Sequence, residues 1–224
     1  MNDLQQYFDR IQPRYYINEI ASLGFTRLFR KMAVQKVKSY GDKRVLDLMS
    51  GQGENLEFLK EHNKNTTIVT LDFSSAMNLK LFSTFKKKLA IKQIQDDFFK
   101  NQIPDHSMDI ILCSYGTKTI EEGKKQIFAD ELSRIIDERG EIIIVEFVKP
   151  KTAWRFSCVK WYIEVLVTKI FGNEFGKLFH YINKNESLED LKKQFSNNGL
   201  LIISHKRYLD LVEILHMKRD SFFI

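Results

Sequence analysis

The sequence is poor in residues that cross-link or interrupt a chain. Its 224 residues include two cysteines, three prolines and ten glycines. The two cysteines, Cys113 and Cys158, are too few for a small disulfide scaffold. No apolar run reaches the ~18 residues that cross a bilayer, and residues 1–10 lack the pattern of a secretion signal. We therefore expect a soluble, cytoplasmic protein with regular secondary structure almost throughout.

The chain also lacks a strong charge of one sign. Lysine and arginine total 35 against 29 acidic residues, a formal charge of +6, and the densest lysine run is Lys86–Lys88. Such a run is more typical of a solvated helix end than of a nucleic-acid surface. With 43% apolar residues over this length, the composition predicts one compact domain without a nucleic-acid partner.

From Arg44 onward, short apolar runs alternate with amphipathic stretches of helical length, which predicts a parallel sheet with crossover helices. The predicted strands are Arg44–Met49, Thr66–Leu71, Ile91–Gln95, Asp109–Ser114, Glu141–Phe147 and an antiparallel pair, Leu200–His205 and Leu209–Met217. The predicted helices are Glu54–Glu61, Ser75–Leu89, Glu121–Asp137 ended by Gly140, Trp154–Phe171 and Ser187–Asn197. The fold class is thus α/β, a Rossmann-like and mostly parallel seven-stranded sheet with helices on both faces.

Two segments stand apart from this alternation. Residues 1–40 carry aromatic side chains at helical spacing ahead of the first strand and predict an N-terminal helical cap over the open end of the sheet. Residues 41–224 form the main domain, with a helical insertion near 151–185. The apolar face of Trp154–Phe171 packs on the sheet in one interpretation and forms a lid or membrane-surface contact in the other.

The first predicted strand runs into a Gly-x-Gly turn, Gly51 and Gly53, and then a helix. Glycine there lets the backbone approach a ligand closely. A dinucleotide site would need a third glycine where Leu56 stands, so pyrophosphate binding is disfavoured. The carboxylate of Asp47, which lies at the strand end, instead suits a ligand with a positively charged amino acid end. S-adenosylmethionine has that feature and a neutral ribose.

Two further carboxylates follow the second and third strands. Asp72 lies roughly 20 residues after the glycine turn, the distance at which a carboxylate can take both ribose hydroxyls. Phe73 can lie against the adenine, and Asp97 can accept from its amino group. Taken one at a time, each carboxylate has an alternative role. In that alternative, Asp72 caps the helix that begins at Ser75, and Asp97 solvates a loop.

Together these residues resemble the class I S-adenosylmethionine-dependent methyltransferases. The resemblance implies S-adenosyl-L-methionine as cofactor and a small-molecule acceptor. The candidate cofactor-binding residues are Asp47, Met49, Ser50, Gly51, Gln52, Gly53, Asn55, Asp72, Phe73, Met77, Asp97, Phe98 and Ser114.

Within that class, several segments resemble the ubiquinone/menaquinone-biosynthesis C-methyltransferases. They are Tyr7–Ile11, Pro13–Tyr15, Ser22–Arg30, Pro104–Asp109, Cys113–Gly116 and Val145–Pro150. The departures fall where the acceptor should bind. Lys118-Thr119 replaces the usual Arg-Asn, 181–186 replace a Ser-Ile-x-x-Phe-Pro motif, Leu211 replaces a glycine, and Tyr16 replaces an aspartate.

The acceptor site has candidates but no decisive motif. The predicted acceptor-binding residues are Tyr15, Tyr16, Phe25, Lys118 and Tyr181, and the predicted bases are His180 first and Tyr115 second. C-methylation of an apolar aromatic or quinol is the favoured function. O- or C-methylation of another metabolite and a non-catalytic cofactor-binding subunit remain alternatives. The five histidines show no metal-ligand spacing, and a transient membrane contact and a homodimer are both left open.

Overall fold

A seven-stranded sheet forms the centre of the computed structural model, which describes residues 2–62, 65–172, 183 and 187–220. The strands are β1 (Arg44–Leu48), β2 (Thr67–Asp72), β3 (Ile91–Gln95), β4 (Met108–Ser114), β5 (Ile136–Phe147), β6 (Leu200–Tyr208) and β7 (Val212–Arg219). Their order is β3-β2-β1-β4-β5-β7-β6. Strand β7 pairs antiparallel with both β5 and β6, and the other neighbouring strands pair in parallel. The predicted mostly parallel α/β sheet is confirmed.

The helices of the described chain flank this sheet. They are α1 (Asn2–Ile11), α2 (Ile17–Ala21), α3 (Phe25–Val34), α4 (Leu56–Leu59), α5 (Ser75–Phe85), α6 (Lys125–Ile135), α7 (Ala153–Trp161), α8 (Thr168–Phe171) and α9 (Glu189–Asn197). A π-helical turn, Tyr162–Val167, joins α7 to α8 and makes the predicted stretch Trp154–Phe171 one continuous helical element. Within the described ranges, no helix is both long and apolar enough to cross a membrane.

Alternating side chains of the buried strands divide the core between the two faces of the sheet. Val45 packs with α3, α4 and α5 on one face, whereas its neighbour Leu46 packs with α6 and α9 on the other. This period of two follows from the pleat. Because the sheet is covered on both faces, Ile142–Val145 of β5 alternate between the two halves of the core and form a continuous apolar run in the sequence.

The junction between α6 and β5 differs from the prediction. The helix ends at Ile135 and the strand starts at Ile136, so Gly140 lies inside β5 and does not end α6. The register slips here: Met108 pairs with Ile136, but Ile110 pairs with Glu141. A Cβ on Gly140 would lie 2.5 Å from the Ile136 side chain. The glycine therefore permits a bulge, a role that strand periodicity does not reveal.

Helix α1 is tied to the loop that follows β2. Asp9 accepts hydrogen bonds from the Ser74 hydroxyl at 2.6 Å and from the Ala76 backbone N–H at 3.0 Å. Gln5 donates to the Phe73 carbonyl oxygen at 3.1 Å. Asp9 thus places a negative charge at the N-terminus of α5, where the helix dipole and free N–H groups favour it.

We expect Asp9→Ala to lower the free energy of unfolding by about 0.5–2 kcal/mol, the usual effect of losing a helix-capping carboxylate. Asp3→Ala is the matched control because Asp3 is an exposed carboxylate on the same helix. Urea unfolding of both variants measures the difference. Equal stability of the two variants would show that Asp9 does not hold α1 in place.

Candidate active site

A crevice opens where the strand order reverses, between β1 and β4, at the carboxyl ends of the parallel strands. Ligands bind at this position in open α/β sheets. Its lining includes Met49, Gly51, Asp72, Phe73, Met77, Ser114 and Tyr115 from the predicted set, together with Phe8, Tyr15, Arg30, Glu54, Gly116 and Thr119. The fold therefore brings together residues from three strand ends and the N-terminal helices.

Asp47 lies fully buried beneath this crevice. One of its oxygens accepts a 2.7 Å hydrogen bond from the Asn55 side-chain amide, and Asn55 in turn accepts from the Ser114 hydroxyl at 3.0 Å. The other oxygen, Oδ2, has no partner in the described part of the chain, and neither does the buried Ser50 hydroxyl. Unpartnered buried polar atoms are costly, so this arrangement fits a ligand that donates hydrogen bonds.

The Asp72 carboxylate is held in place by backbone N–H groups of the glycine turn and of the loop that follows β2. Its Oδ2 accepts from the Gly51 backbone N–H at 2.9 Å, and its Oδ1 accepts from the Ser74 N–H at the same distance. Ser74, not Asp72, caps α5 through the Met77 N–H. The alternative in which Asp72 caps that helix is therefore not what the structure shows. Both Asp72 oxygens keep lone pairs for ribose hydroxyls.

Burial raises the pKa of both carboxyl groups above the ordinary range of an aspartate. It raises the pKa of Asp47 to about 7, although the hydrogen bond from Asn55 acts in the opposite direction. It raises the pKa of Asp72 to about 6 against the two backbone N–H donors. Since a nearby cation stabilises a buried carboxylate, the crevice is suited to a positively charged ligand.

The third predicted carboxylate does not line the crevice. Asp97 accepts from the Phe99 N–H at 3.2 Å and caps a short 3-10 helix, Phe98–Lys100. The Phe98 ring is buried against Phe128 in the core, with the ring centroids 5.2 Å apart. Asp97 therefore caps its own loop, a local role that differs from the solvated loop position given as its alternative, and the Phe98 side chain faces the core.

Backbone conformation and close packing explain why glycine occupies the two positions of the turn, Gly51 and Gly53. Both have positive φ, +55° at Gly51 and +85° at Gly53. A Cβ on Gly53 would lie 3.0 Å from the side chains of Leu56, Leu81 and Phe85, so Gly53 allows α5 to pack closely. Gln52 and Gly53 line the cavity described next, and Gln52 donates to the Gln12 carbonyl oxygen at 3.0 Å.

A larger cavity of about 570 Å³ lies beside the crevice, between the N-terminal helices and the α7–α8 element. The predicted acceptor residues Tyr15, Tyr16 and Phe25 line it. Most of its wall is aromatic or aliphatic, including Tyr7, Ile11, Phe147, Tyr162, Ile163 and Val167. Its volume lies within the roughly 300–1,000 Å³ typical of small-molecule sites.

Lys118 also lines this cavity, but its charge is already neutralised. Its ammonium group lies 3.1 Å from Oε1 of the fully buried Glu146 and donates to the Tyr115 carbonyl oxygen. Glu146 further accepts from the Thr117 hydroxyl at 3.0 Å. An acceptor therefore meets the stem of a paired lysine and not a free cation.

Tyr115 lies at the junction of crevice and cavity. It follows β4 with φ +62°, and its ring stacks on Phe147 at a centroid distance of 4.8 Å. Burial raises the pKa of the Tyr115 hydroxyl. Arg30 acts in the opposite direction, and the assignment of Tyr115 as a base or as a residue that orients the acceptor stays a prediction.

The other predicted base, His180, and the predicted acceptor residue Tyr181 lie outside the described residues. Both assignments stay predictions. Among the residues that the structure places, no group of three or more His, Cys, Asp or Glu side chains could hold a metal ion.

Arg30 is the charged residue of greatest interest among the crevice residues that the sequence analysis did not assign to the site. It is 7% exposed, and its guanidinium lies 4.8 Å from the centre of the Tyr115 ring and 4.0 Å from Glu54 Oε2. A signal was present, because Arg30 occupies the buried face of α3 with Ala33 and Val34, three and four positions on. An arginine on a buried helix face calls for an anionic or aromatic partner.

Comparison with known proteins agrees with this geometry. The model of the ubiE/COQ5 methyltransferase family matches residues 2–218. The chain belongs to this family. It is 27% identical over 187 residues to a demethylmenaquinone methyltransferase of Deinococcus radiodurans, covering 83% of this chain and 77% of the relative. A ubiquinone/menaquinone biosynthesis C-methyltransferase of Geotalea daltonii is 26% identical over 200 residues, with coverages of 85% and 82%.

Solved structures share the fold of this ubiE/COQ5 family member. A methyltransferase from Aquifex aeolicus matches with a TM-score of 0.64 at 13% identity, covering 85% of this chain and 89% of that one. A geranyl diphosphate C-methyltransferase from Streptomyces coelicolor matches with a TM-score of 0.64 at 7% identity, over 86% and 75% of the two chains.

The protein is therefore an S-adenosylmethionine-dependent methyltransferase. S-adenosylmethionine supplies a methyl group on a sulfonium, which a nucleophile takes by direct displacement. The residues present fit it, because buried carboxylates with raised pKa values face the crevice and Asp47 keeps an unpartnered oxygen. Asp72 would hold the ribose, and Phe73 and Met77 would border the adenine.

We expect Asp72→Ala to weaken S-adenosylmethionine binding by about 1.5–3 kcal/mol, because hydrogen bonds to a charged group are lost. Asp72→Asn, which keeps a side-chain acceptor for one backbone N–H, should lose less. Asp130→Ala is the control, since Asp130 is exposed on α6. Isothermal titration calorimetry measures all three, and unchanged affinity in Asp72→Ala would exclude the ribose role.

Proposed function

We propose that this chain methylates a ring carbon of a small, apolar aromatic or quinol acceptor. The observation that carries the proposal is the large apolar cavity, which shares a wall with the cofactor crevice. Six residues line both spaces: Phe8, Tyr15, Arg30, Glu54, Tyr115 and Thr119. The names of the relatives, a demethylmenaquinone methyltransferase and a quinone-biosynthesis C-methyltransferase, support a quinol.

The charged groups of the cavity favour a neutral acceptor. Lys118 is paired with Glu146, and Arg30 lies beside Glu54. The Lys118–Glu146 pair leaves no uncompensated charge for an ionic substrate to neutralise. A neutral, flat molecule can instead pack on the aromatic wall of the cavity, which includes the stacked rings of Tyr115 and Phe147.

Direct displacement requires the acceptor carbon in line with the methyl group and water kept out. We assign the exclusion of water to residues 1–40 acting as a cap, because Tyr15, Tyr16 and Phe25 all line the cavity. A truncation at residue 30 would not test this role, since it removes Phe29, which is buried against Tyr208 in the core. Phe25→Ala, at a partly exposed position, is the better variant.

Incubation with methyl-labelled S-adenosylmethionine and a panel of demethylated quinols and phenols tests the proposal. We expect label on a ring carbon of a quinol, and Phe25→Ala should lower kcat/KM for it with little change in cofactor affinity. Label on oxygen would favour the O-methyltransferase alternative, and cofactor binding with no transfer to any acceptor would favour a non-catalytic subunit.

The same assay tests the predicted base. We expect His180→Ala to lower turnover roughly 10²-fold with cofactor affinity intact, the loss expected for a general base. Turnover within a few-fold of the wild type would show that the acceptor is ionised without the His180 side chain. Asp130→Ala serves as control, since Asp130 is exposed on α6 and does not line the cavity or the crevice.

We further propose transient contact with an anionic membrane surface. Trp154, Trp161 and Ile170 are each more than half exposed on the α7–α8 element, and Lys160 and Lys169 alternate with them. Ile17 and Ala21 of α2 pack against Val167 of the same element, beside the cavity. Exposed tryptophans among basic side chains suit the headgroup region. Cys113 and Cys158 form no disulfide, which fits a protein that contacts the membrane from the reducing, cytoplasmic side.

Sedimentation with phosphatidylglycerol vesicles tests this contact. We expect the double variant Trp154→Ala/Trp161→Ala to bind several-fold more weakly than the wild type because apolar area leaves the interface. Leu201→Ala is the control, since Leu201 is exposed on the edge strand β6. Equal sedimentation of the wild type and the double variant would contradict the proposal.

A further inference from the structure

The charged groups in and beneath the crevice are unequal in sign. Asp47, Glu54 and Asp72 contribute three carboxylates, and burial raises the pKa of each. Of the described residues that line the crevice, only Arg30 carries a positive charge. The methionine end of the donor brings both signs, an ammonium group and a carboxylate. The carboxylates account for the ammonium, and the donor's own carboxylate needs a cation.

Arg30 has unused hydrogen-bonding capacity. Its five N–H donors face one carboxylate in the described chain, Glu54, whose Oε2 is 4.0 Å from Nη2 and thus beyond hydrogen-bond reach. The Tyr115 ring covers one face of the guanidinium, with the guanidinium carbon 4.8 Å from the ring centre. A planar guanidinium with free edges in a buried site suits bidentate recognition of a carboxylate.

Its position matches this role. Arg30 lies on the wall that the crevice shares with the large cavity, and it comes from α3, outside the glycine turn and the strand ends. Burial lowers the pKa of Arg30, but Glu54, Tyr15 and Tyr115 raise it by more, so the guanidinium stays charged.

We propose that Arg30 binds the α-carboxylate of S-adenosylmethionine, with the Tyr115 ring holding the guanidinium in place. The donor's amino acid end is then clamped between a cation from the N-terminal cap and anions at the strand ends. In consequence the cap takes part in cofactor binding and not only in covering the acceptor. The other anion that could reach Arg30 is an ionised oxygen of the acceptor.

The test compares two ligands that differ only in the carboxylate, S-adenosylmethionine and its decarboxylated form, by calorimetry without acceptor. We expect Arg30→Met to weaken binding of S-adenosylmethionine by about 10- to 100-fold, which corresponds to lost charge-assisted hydrogen bonds. Binding of the decarboxylated form should change by less than about threefold on the same scale. Arg30→Lys should recover part of the loss, since it keeps the charge but not the fork.

Three results would overturn the proposal. Equal losses for both ligands would assign Arg30 a purely structural role, and failure of Arg30→Met, Arg30→Gln and Arg30→Lys alike to fold, judged by circular dichroism, would do the same. Unchanged affinity for both ligands would leave the acceptor oxygen as the anion. Because no acceptor is present, these outcomes are independent of whether the proposed quinol is the substrate.

Discussion

Two carboxylates held out of water at neighbouring strand ends are the constraint on which this site depends. Asp47 is fixed by Asn55, and Asp72 by the backbone N–H groups of Gly51 and Ser74. Both side chains remain buried, and this burial raises the pKa of each carboxyl. A cationic donor satisfies what the fold leaves unsatisfied, so the binding preference arises from the sheet itself.

The reaction space follows from what surrounds those strand ends. The N-terminal helices close one side, and Asp9 anchors them to the start of α5, on the loop that also carries Phe73. The same helices provide Arg30 and much of the aromatic cavity wall. The crevice and the large cavity are therefore built partly from the same helices, so we expect a change in these helices to affect both spaces.

Much of this could be predicted from local sequence, because alternating apolar residues and strand-end carboxylates carry their own signal. The glycine turn and Asp72 are found by spacing alone. What escaped prediction depends on contacts distant in sequence or on backbone detail. Asp97 has the same sequence signal as Asp72 but turns to cap its own loop. Arg30 becomes part of the site only when α3 packs beside β4, and Gly140 marks a register slip and not a helix end.

A crystal structure with bound S-adenosylhomocysteine tests the central claim most directly, namely that the crevice delivers the donor's sulfur to the wall shared with the apolar cavity. The account predicts the ribose at Asp72 and the sulfur directed past Tyr115 into the cavity lined by Tyr15 and Phe25. Adenosine bound within the large cavity, or a sulfur facing away from it, would contradict the account.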